Sequence, residues 1–122
     1  MILALALPLC AMSMNVDRGE VLRIVDGDTV EVRIDAGYGI EVHDKARLFG
    51  INAPERYTAD GPAATAYLAS TIPVGSTFYA ERMGSDGRDK YGRLLLRVFT
   101  PDCKDVGAAM ISAGHAVPYM GG

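Results

Sequence analysis

Polar and apolar residues alternate along two neighbouring stretches, Glu20 to Val25 and Thr29 to Ile34, where Val, Ile and Thr recur. A period of two predicts strands half-buried against a core. Asp26-Gly27-Asp28 between them predicts a tight turn, and Ala36 to Gly39, with its two glycines, predicts another. Glu41 to Gly50 reads as a third strand, with Val42, Ala46 and Leu48 in phase. Asn52-Ala53-Pro54-Glu55 ends it, because proline cannot continue a ladder. The period then changes. Gly61-Pro62 opens a helix from Pro62 to about Thr71, with Ala64, Tyr67 and Leu68 at helical spacing. Thr77 to Arg82 is a fourth strand and Gly84 to Gly92 a polar loop. Leu94 to Thr100 is a fifth strand, apolar enough to be central. Asp105 to Ala113 is a second helix, capped by Asp105 and stopped by Gly114, and Val117 to Tyr119 trail off. Three strands, a helix, two strands and a helix suit a five-stranded barrel of the oligonucleotide-binding type, a mainly β, α+β fold. Periodicity alone is also met by other small α+β folds.

A chain of 122 residues is one domain by the usual size of folding units. It has an ordinary core-forming apolar content, with no low-complexity tract and no internal repeat. Fourteen glycines spread along it fit a fold with many tight turns. The net charge of −3 argues against a broad basic surface that grips nucleic acid at many phosphates. It leaves room for a small cluster of arginines, or for an acidic metal site.

Ile2 to Met12 are almost wholly apolar, and no charged residue precedes Asp17. The run is too short to span a bilayer, and no stable membrane association is expected. It resembles the apolar core of a signal segment, with Ala11-Met12-Ser13 as a cleavage site, but no Lys or Arg precedes it. If residues 1–13 act as a signal, the protein is secreted; if translation starts at Met12 or Met14, it is cytoplasmic. Either reading divides the chain into a leader, 1–15, and a folded domain, 16–122. Cys10 falls in that leader, so no disulfide framework with Cys103 is expected.

Three short segments carry the candidate chemistry: Asp26-Gly27-Asp28-Thr29-Val30, Arg47-Leu48-Phe49-Gly50-Ile51-Asn52-Ala53-Pro54-Glu55 and Asp89-Lys90-Tyr91-Gly92-Arg93. Asp28 at a turn has a carboxylate free to point out of the sheet. Asn52 offers an amide oxygen. If the second and third strands pair, the two can share one hard cation, with Glu55 near a metal-bound water. Any one of these residues alone is more commonly a solvated turn residue. Arg47 and Arg93 offer forked donors for phosphate oxygens and for the charge of a pentacoordinate transition state. A surface salt bridge is the commoner fate of an arginine. Tyr91 and Tyr119 can stack on unpaired bases, whereas Tyr67 reads as helix packing. His43 and His115 lack a partner pattern and read as surface or packed histidines. There is no nucleophile elbow and no P-loop.

Taken together, the segments resemble the staphylococcal nuclease family, or thermonucleases, in order from about Val21 to Tyr119. The resemblance implies a five-stranded oligonucleotide-binding barrel with two or three packed helices. It implies a monomeric endonuclease that uses one calcium ion to hydrolyse DNA or RNA, single strands preferred, leaving 3′-phosphate ends. By position it makes Asp28, Asn52 and the Ala53 carbonyl calcium ligands. Glu55 becomes the residue beside the attacking water, with Arg47 and Arg93 as catalytic phosphate-binding arginines. Lys90, Tyr91 and Tyr119 become nucleotide contacts.

Two departures bear on function. The family usually has Asp where this chain has Asn52, which removes one negative charge and predicts weaker calcium binding. The acidic balance predicts fewer phosphate contacts. Both features also suit a non-catalytic nucleic-acid-binding barrel with a weakened metal site. A structural or protein-interaction barrel explains the fold but not the paired arginines.

Overall fold

The computed structural model describes residues 15–120, so the expectations for the leader lie outside the described residues save at Asn15. Its elements are β1 (Val16–Asp26), β2 (Thr29–Asp35), β3 (Glu41–Leu48), β4 (Ile51–Asn52), α1 (Gly61–Thr71), β5 (Thr77–Arg82), β6 (Leu94–Phe99), α2 (Val106–Ser112) and β7 (Val117–Pro118). Five strands close a barrel in the order β1-β2-β3-β6-β5, with β5 pairing back onto β1. Every barrel pairing is antiparallel except β3 with β6, where Ala46, Arg47 and Leu48 lie beside Leu94, Leu95 and Leu96. β4 and β7 form a separate ribbon, Ile51 opposite Pro118 and Asn52 opposite Val117.

The predicted barrel and both helices are present. The differences come from long-range pairing. β1 begins at Val16 rather than Glu20, because its first half is held by β5, from Val16 opposite Glu81 to Glu20 opposite Thr77. No local pattern reports a partner some sixty residues away. Two register shifts in β1, at Val21/Arg23 and Ile24/Asp26, add twist and let one strand serve both neighbours. The third strand stops at Leu48; Gly50, at φ 83°, turns the chain so that Ile51 and Asn52 leave the barrel and meet the C-terminal segment. Cys103 is disulfide-bonded, contrary to expectation, and the other half of that bond lies outside the described residues.

Inward positions of the barrel strands supply the core: Val21, Val30, Val32, Ala46, Leu48, Phe78, Ala80, Leu96 and Val98. Ala64, Leu68 and Ile72 of the α1 segment and Val106 and Met110 of α2 extend it. Pro near the first turn starts α1. In α2 the Asp105 carboxylate accepts the Ala108 N–H at 3.1 Å, as an N-cap should.

Gly19 is the narrow point of this packing. It pairs with Ile34 on one side and Phe78 on the other, and a Cβ there would lie 2.4 Å from Phe78 Cζ and 2.9 Å from Ile34 Cδ1. Phe78 is only 1% exposed and has little room to yield. Gly19→Ala is therefore expected to cost about 1–3 kcal/mol by overpacking. Urea unfolding at unchanged m-value checks this, and a variant as stable as wild type would contradict it.

Candidate active site

The Asp26-Gly27-Asp28 turn carries the first acids. The Asp28 N–H donates to Asp26 Oδ1 at 3.2 Å, which closes the turn. The Asp28 side chain then points inward, not out of the sheet as expected, and the residue is only 7% exposed. Its Oδ1 accepts the Thr29 hydroxyl at 3.0 Å and its Oδ2 accepts the Ala53 N–H at 2.8 Å. Arg47 Nη1 lies 3.4 Å from the same Oδ2. A buried carboxylate needs such partners, since an uncompensated charge in the interior is costly. Gly27 permits this seat: a Cβ would lie 2.8 Å from the Ala53 Cβ and 3.0 Å from the Ala64 Cβ of α1.

β2 and β3 pair with Thr29 opposite Arg47, which brings the first arginine beside the turn. Arg47 is itself buried. It donates to the Leu48 carbonyl at 3.1 Å and to Asn52 Oδ1 at 3.2 Å. The Tyr119 ring centroid lies 5.7 Å from its guanidinium carbon, a cation–π contact that the β4–β7 ribbon makes possible. Glu55 follows on an exposed turn, its carbonyl accepting the Thr58 N–H at 3.0 Å and the Thr58 hydroxyl at 2.7 Å. Helix α1 starts directly against this turn. A Cβ on Gly61 would lie 1.9 Å from the Glu55 carbonyl oxygen, so only glycine fits there.

The second arginine sits in a loop knotted around Asp89, whose side chain is only 3% exposed. Asp89 Oδ1 accepts the N–H groups of Tyr91 and Arg93, each at 2.9 Å, and Oδ2 accepts Arg93 Nε at 2.7 Å. Burial alone would raise the Asp89 pKa, but hydrogen bonds from the Arg93 side chain and from the Arg93 and Tyr91 backbone hold it below the usual carboxylate value. The ring of Tyr91 lies beside both cations, 5.3 Å from Lys90 Nζ and 5.5 Å from the Arg93 guanidinium carbon.

These segments face one cavity of about 240 Å³. Eight of the nine residues singled out in the sequence line it: Asp28, Arg47, Asn52, Glu55, Lys90, Tyr91, Arg93 and Tyr119. Ala53 does not; its N–H supports Asp28 instead. Asp26, Thr29 and Asp89 also line the cavity and were not singled out. Their signal lay in the motifs, where Asp26 mirrors Asp28 across Gly27 and Asp89 opens the Asp-Lys-Tyr-Gly-Arg segment. His43 pairs with Glu31 on the surface at 2.9 Å, and His115 packs on Tyr67 with ring centroids 5.0 Å apart, so both lie away from this chemistry.

Four carboxylates, Asp26, Asp28, Glu55 and Asp89, face three cations, Arg47, Lys90 and Arg93, around the cavity. Asp89 is spent on Arg93 and Asp28 is partly offset by Arg47. Among the described residues no ion pair holds Asp26, and its pKa is raised to about 6 by burial, then by its hydrogen bond to and repulsion from Asp28, with Glu55 adding to it. A hard cation beside Asp26, Asp28 and the Asn52 amide would relieve that crowding with the oxygen donors such ions take. Among the described residues no three His, Cys, Asp or Glu side chains are grouped as a metal cage, so amide oxygens and waters would complete such a shell.

A raised carboxylate pKa has a definite sign in stability. The contribution of Asp26 is fully present below its unfolded value of 3.8 and is lost as pH rises through about 6. In chelator, Asp26→Asn should therefore be more stable than wild type at pH 7, by about 1 kcal/mol after allowing for solvent screening at a half-buried group. The advantage should vanish by about pH 4. Melting curves across that range check this, and a variant less stable than wild type at pH 7 would contradict it.

A family model described as "Staphylococcal nuclease homologue" matches residues 45–121. The chain is 36% identical over 101 residues to an "Uncharacterized endonuclease" of Escherichia coli O157:H7, covering 83% of this chain and 60% of that protein. It is 33% identical over 111 residues to a "Micrococcal nuclease" of Shigella flexneri, covering 84% of this chain and 58% of that protein. It is 31% identical over 113 residues to "Endonuclease YhcR" of Bacillus subtilis, covering 84% of this chain and 9% of that protein. The chain thus spans at most about 60% of the length of these relatives. With the closed barrel and the order of the three motifs, these matches place the chain in the staphylococcal nuclease homologue family.

Proposed function

We propose that this protein is a nuclease that hydrolyses phosphodiester bonds of DNA or RNA with the help of one calcium ion. One observation carries the reading: Arg47 and Arg93 face a single cavity with the buried Asp28 and the exposed Glu55. A solvated turn or a surface salt bridge does not explain two guanidiniums gathered around a buried acid. Relatives named as nucleases support the same reading.

Each residue then has a task that its surroundings prepare. Arg93 spends Nε on Asp89, which leaves its two terminal nitrogens for phosphate oxygens. Arg47, fixed by Leu48 and Asn52, takes the other side of the same phosphate. Together they stabilise the charge that develops as water attacks phosphorus in line. Glu55 holds that water and accepts its proton while the bond to the 5′-oxygen breaks and that oxygen takes a proton from solvent, leaving a 3′-phosphate and a 5′-hydroxyl end. Tyr91, 73% exposed, and Tyr119 present rings to unpaired bases, which favours single strands. Asp28 and Asn52, with Asp26 behind them, are the oxygens that would hold calcium, whose role is to neutralise phosphate charge and polarise the scissile group.

The rest of the surface supports a narrow grip. Arg23, Arg33, Arg82, Arg88 and Arg97 are each paired with a carboxylate of this chain. Among the described residues outside the cavity only Arg18, Lys45, Arg56 and Lys104 lie outside such pairs, so the salt dependence of binding should be shallow.

A second reading, a nucleic-acid-binding barrel that does not cut, is favoured by one feature. Asn52 contributes no charge, and its Oδ1 already accepts from Arg47.

The full chain should degrade heat-denatured DNA in calcium and not in excess chelator, with Glu55→Gln slower by at least about a hundredfold. A folded protein that binds DNA without cutting it in calcium would establish the second reading instead. Asn52→Asp should bind calcium more tightly in a calorimetric titration, because it restores a ligand charge. Equal affinity in the two proteins would show that the amide is not a handicap.

A further inference from the structure

The loop from Gly84 to Gly92 carries Lys90 and Tyr91, and two different devices hold it. The Asp89 knot fixes its shape from within. At its base, Met83 N–H donates to the Leu95 carbonyl and Leu95 N–H to the Gly87 carbonyl, each at 2.9 Å, which joins the loop to its own strand, β6. Neither device fixes the tip relative to the far wall of the cavity. That link comes from Arg88. Its Nη1 donates to Asp44 Oδ2 on β3 at 2.9 Å and to the Gly92 carbonyl at 2.6 Å. One guanidinium nitrogen thus joins the returning end of the loop to the strand that carries Arg47. Among the described residues this is the only ion pair that links the loop to another element.

We propose that Arg88 and Asp44 are positioning residues that hold the substrate-gripping loop against β3 and so set affinity for single-stranded nucleic acid. The proposal rests on the nuclease reading above. Neither residue lines the cavity, so both are assigned an effect through the loop. Arg93 is placed independently by Asp89 and by the β3–β6 pairing that begins at Leu94, so the phosphate grip survives loss of the tether. What loosens is the tip, with Lys90 and Tyr91. The Asp44 pKa is held below the usual carboxylate range, chiefly by the hydrogen bond from Arg88, so the pair stays charged at neutral pH. A half-exposed pair is weak on its own, and its influence comes from the Gly92 carbonyl held by the same nitrogen.

The test uses the full chain, a fluorophore–quencher single-stranded oligonucleotide, and the variants Asp44→Asn, Arg88→Gln and the double variant. KM should rise about threefold to fivefold in each single variant while kcat stays within about twofold. The double variant should match the worse single one, since both remove the same link. Amide hydrogen exchange at residues 90–92 should quicken in the same variants, whether or not the protein cuts. Unchanged exchange there, or a fall in kcat at constant KM, overturns the tether. A wild type that neither cuts nor binds the oligonucleotide overturns the nuclease reading, and the inferred effect on affinity with it, while exchange separately reports whether the tether holds the loop.

Discussion

A buried carboxylate holds this site together. Asp28 is withdrawn from water and accepts from Thr29 at the start of β2 and from Ala53 beyond β4, with Arg47 of β3 alongside. Such a charge is tolerated only when its partners are in place. The β1–β2 turn, the end of β3 and the segment leading to Glu55 therefore have to converge. Gly27 makes room for the convergence, and Gly61 lets α1 press on the Glu55 backbone from the other side. The fold and the chemistry depend on the same few atoms, because Thr29 and Arg47, two of the partners of Asp28, also line the cavity.

Charge is distributed with matching economy. Around the barrel, arginines are matched with carboxylates of neighbouring strands, as Arg33 is with Glu20 and Glu41. At the cavity the balance tips to four carboxylates against three cations. Burial raises the Asp26 pKa, and the neighbouring carboxylates Asp28 and Glu55 add to the rise. On the proposed reading, an acidic protein of net charge −3 presents a local phosphate site, and an added cation would supply the missing counter-charge. Asn52 lowers the negative charge of that site by one relative to the usual family pattern, and its amide also steadies Arg47.

Most of the fold was legible because it is written locally. Alternation marked β2 and the second half of β1, Gly61-Pro62 marked the start of α1, and Asp105 and Gly114 marked the limits of α2. What stayed hidden depends on remote partners. The first half of β1 exists because β5 pairs with it, β7 exists because β4 does, and neither leaves a periodic trace. The same division holds for the site. Sequence reasoning pointed to eight of the residues that line the cavity, seven in the three motifs and Tyr119 in the C-terminal segment, but not to the inward turn of Asp28 or the raised pKa of Asp26. Those follow from burial, and burial is a property of the assembled barrel. The link from Arg88 to Asp44, forty-four residues apart, belongs to the same class.

The most direct measurement of the central claim is the cleavage rate of Asp28→Asn on a single-stranded oligonucleotide in calcium, with circular dichroism to show that the barrel persists. If one buried carboxylate both organises the site and helps hold the cation, the folded variant should cut at least about a hundredfold more slowly than wild type. A folded variant that cuts at nearly the wild-type rate would contradict the account.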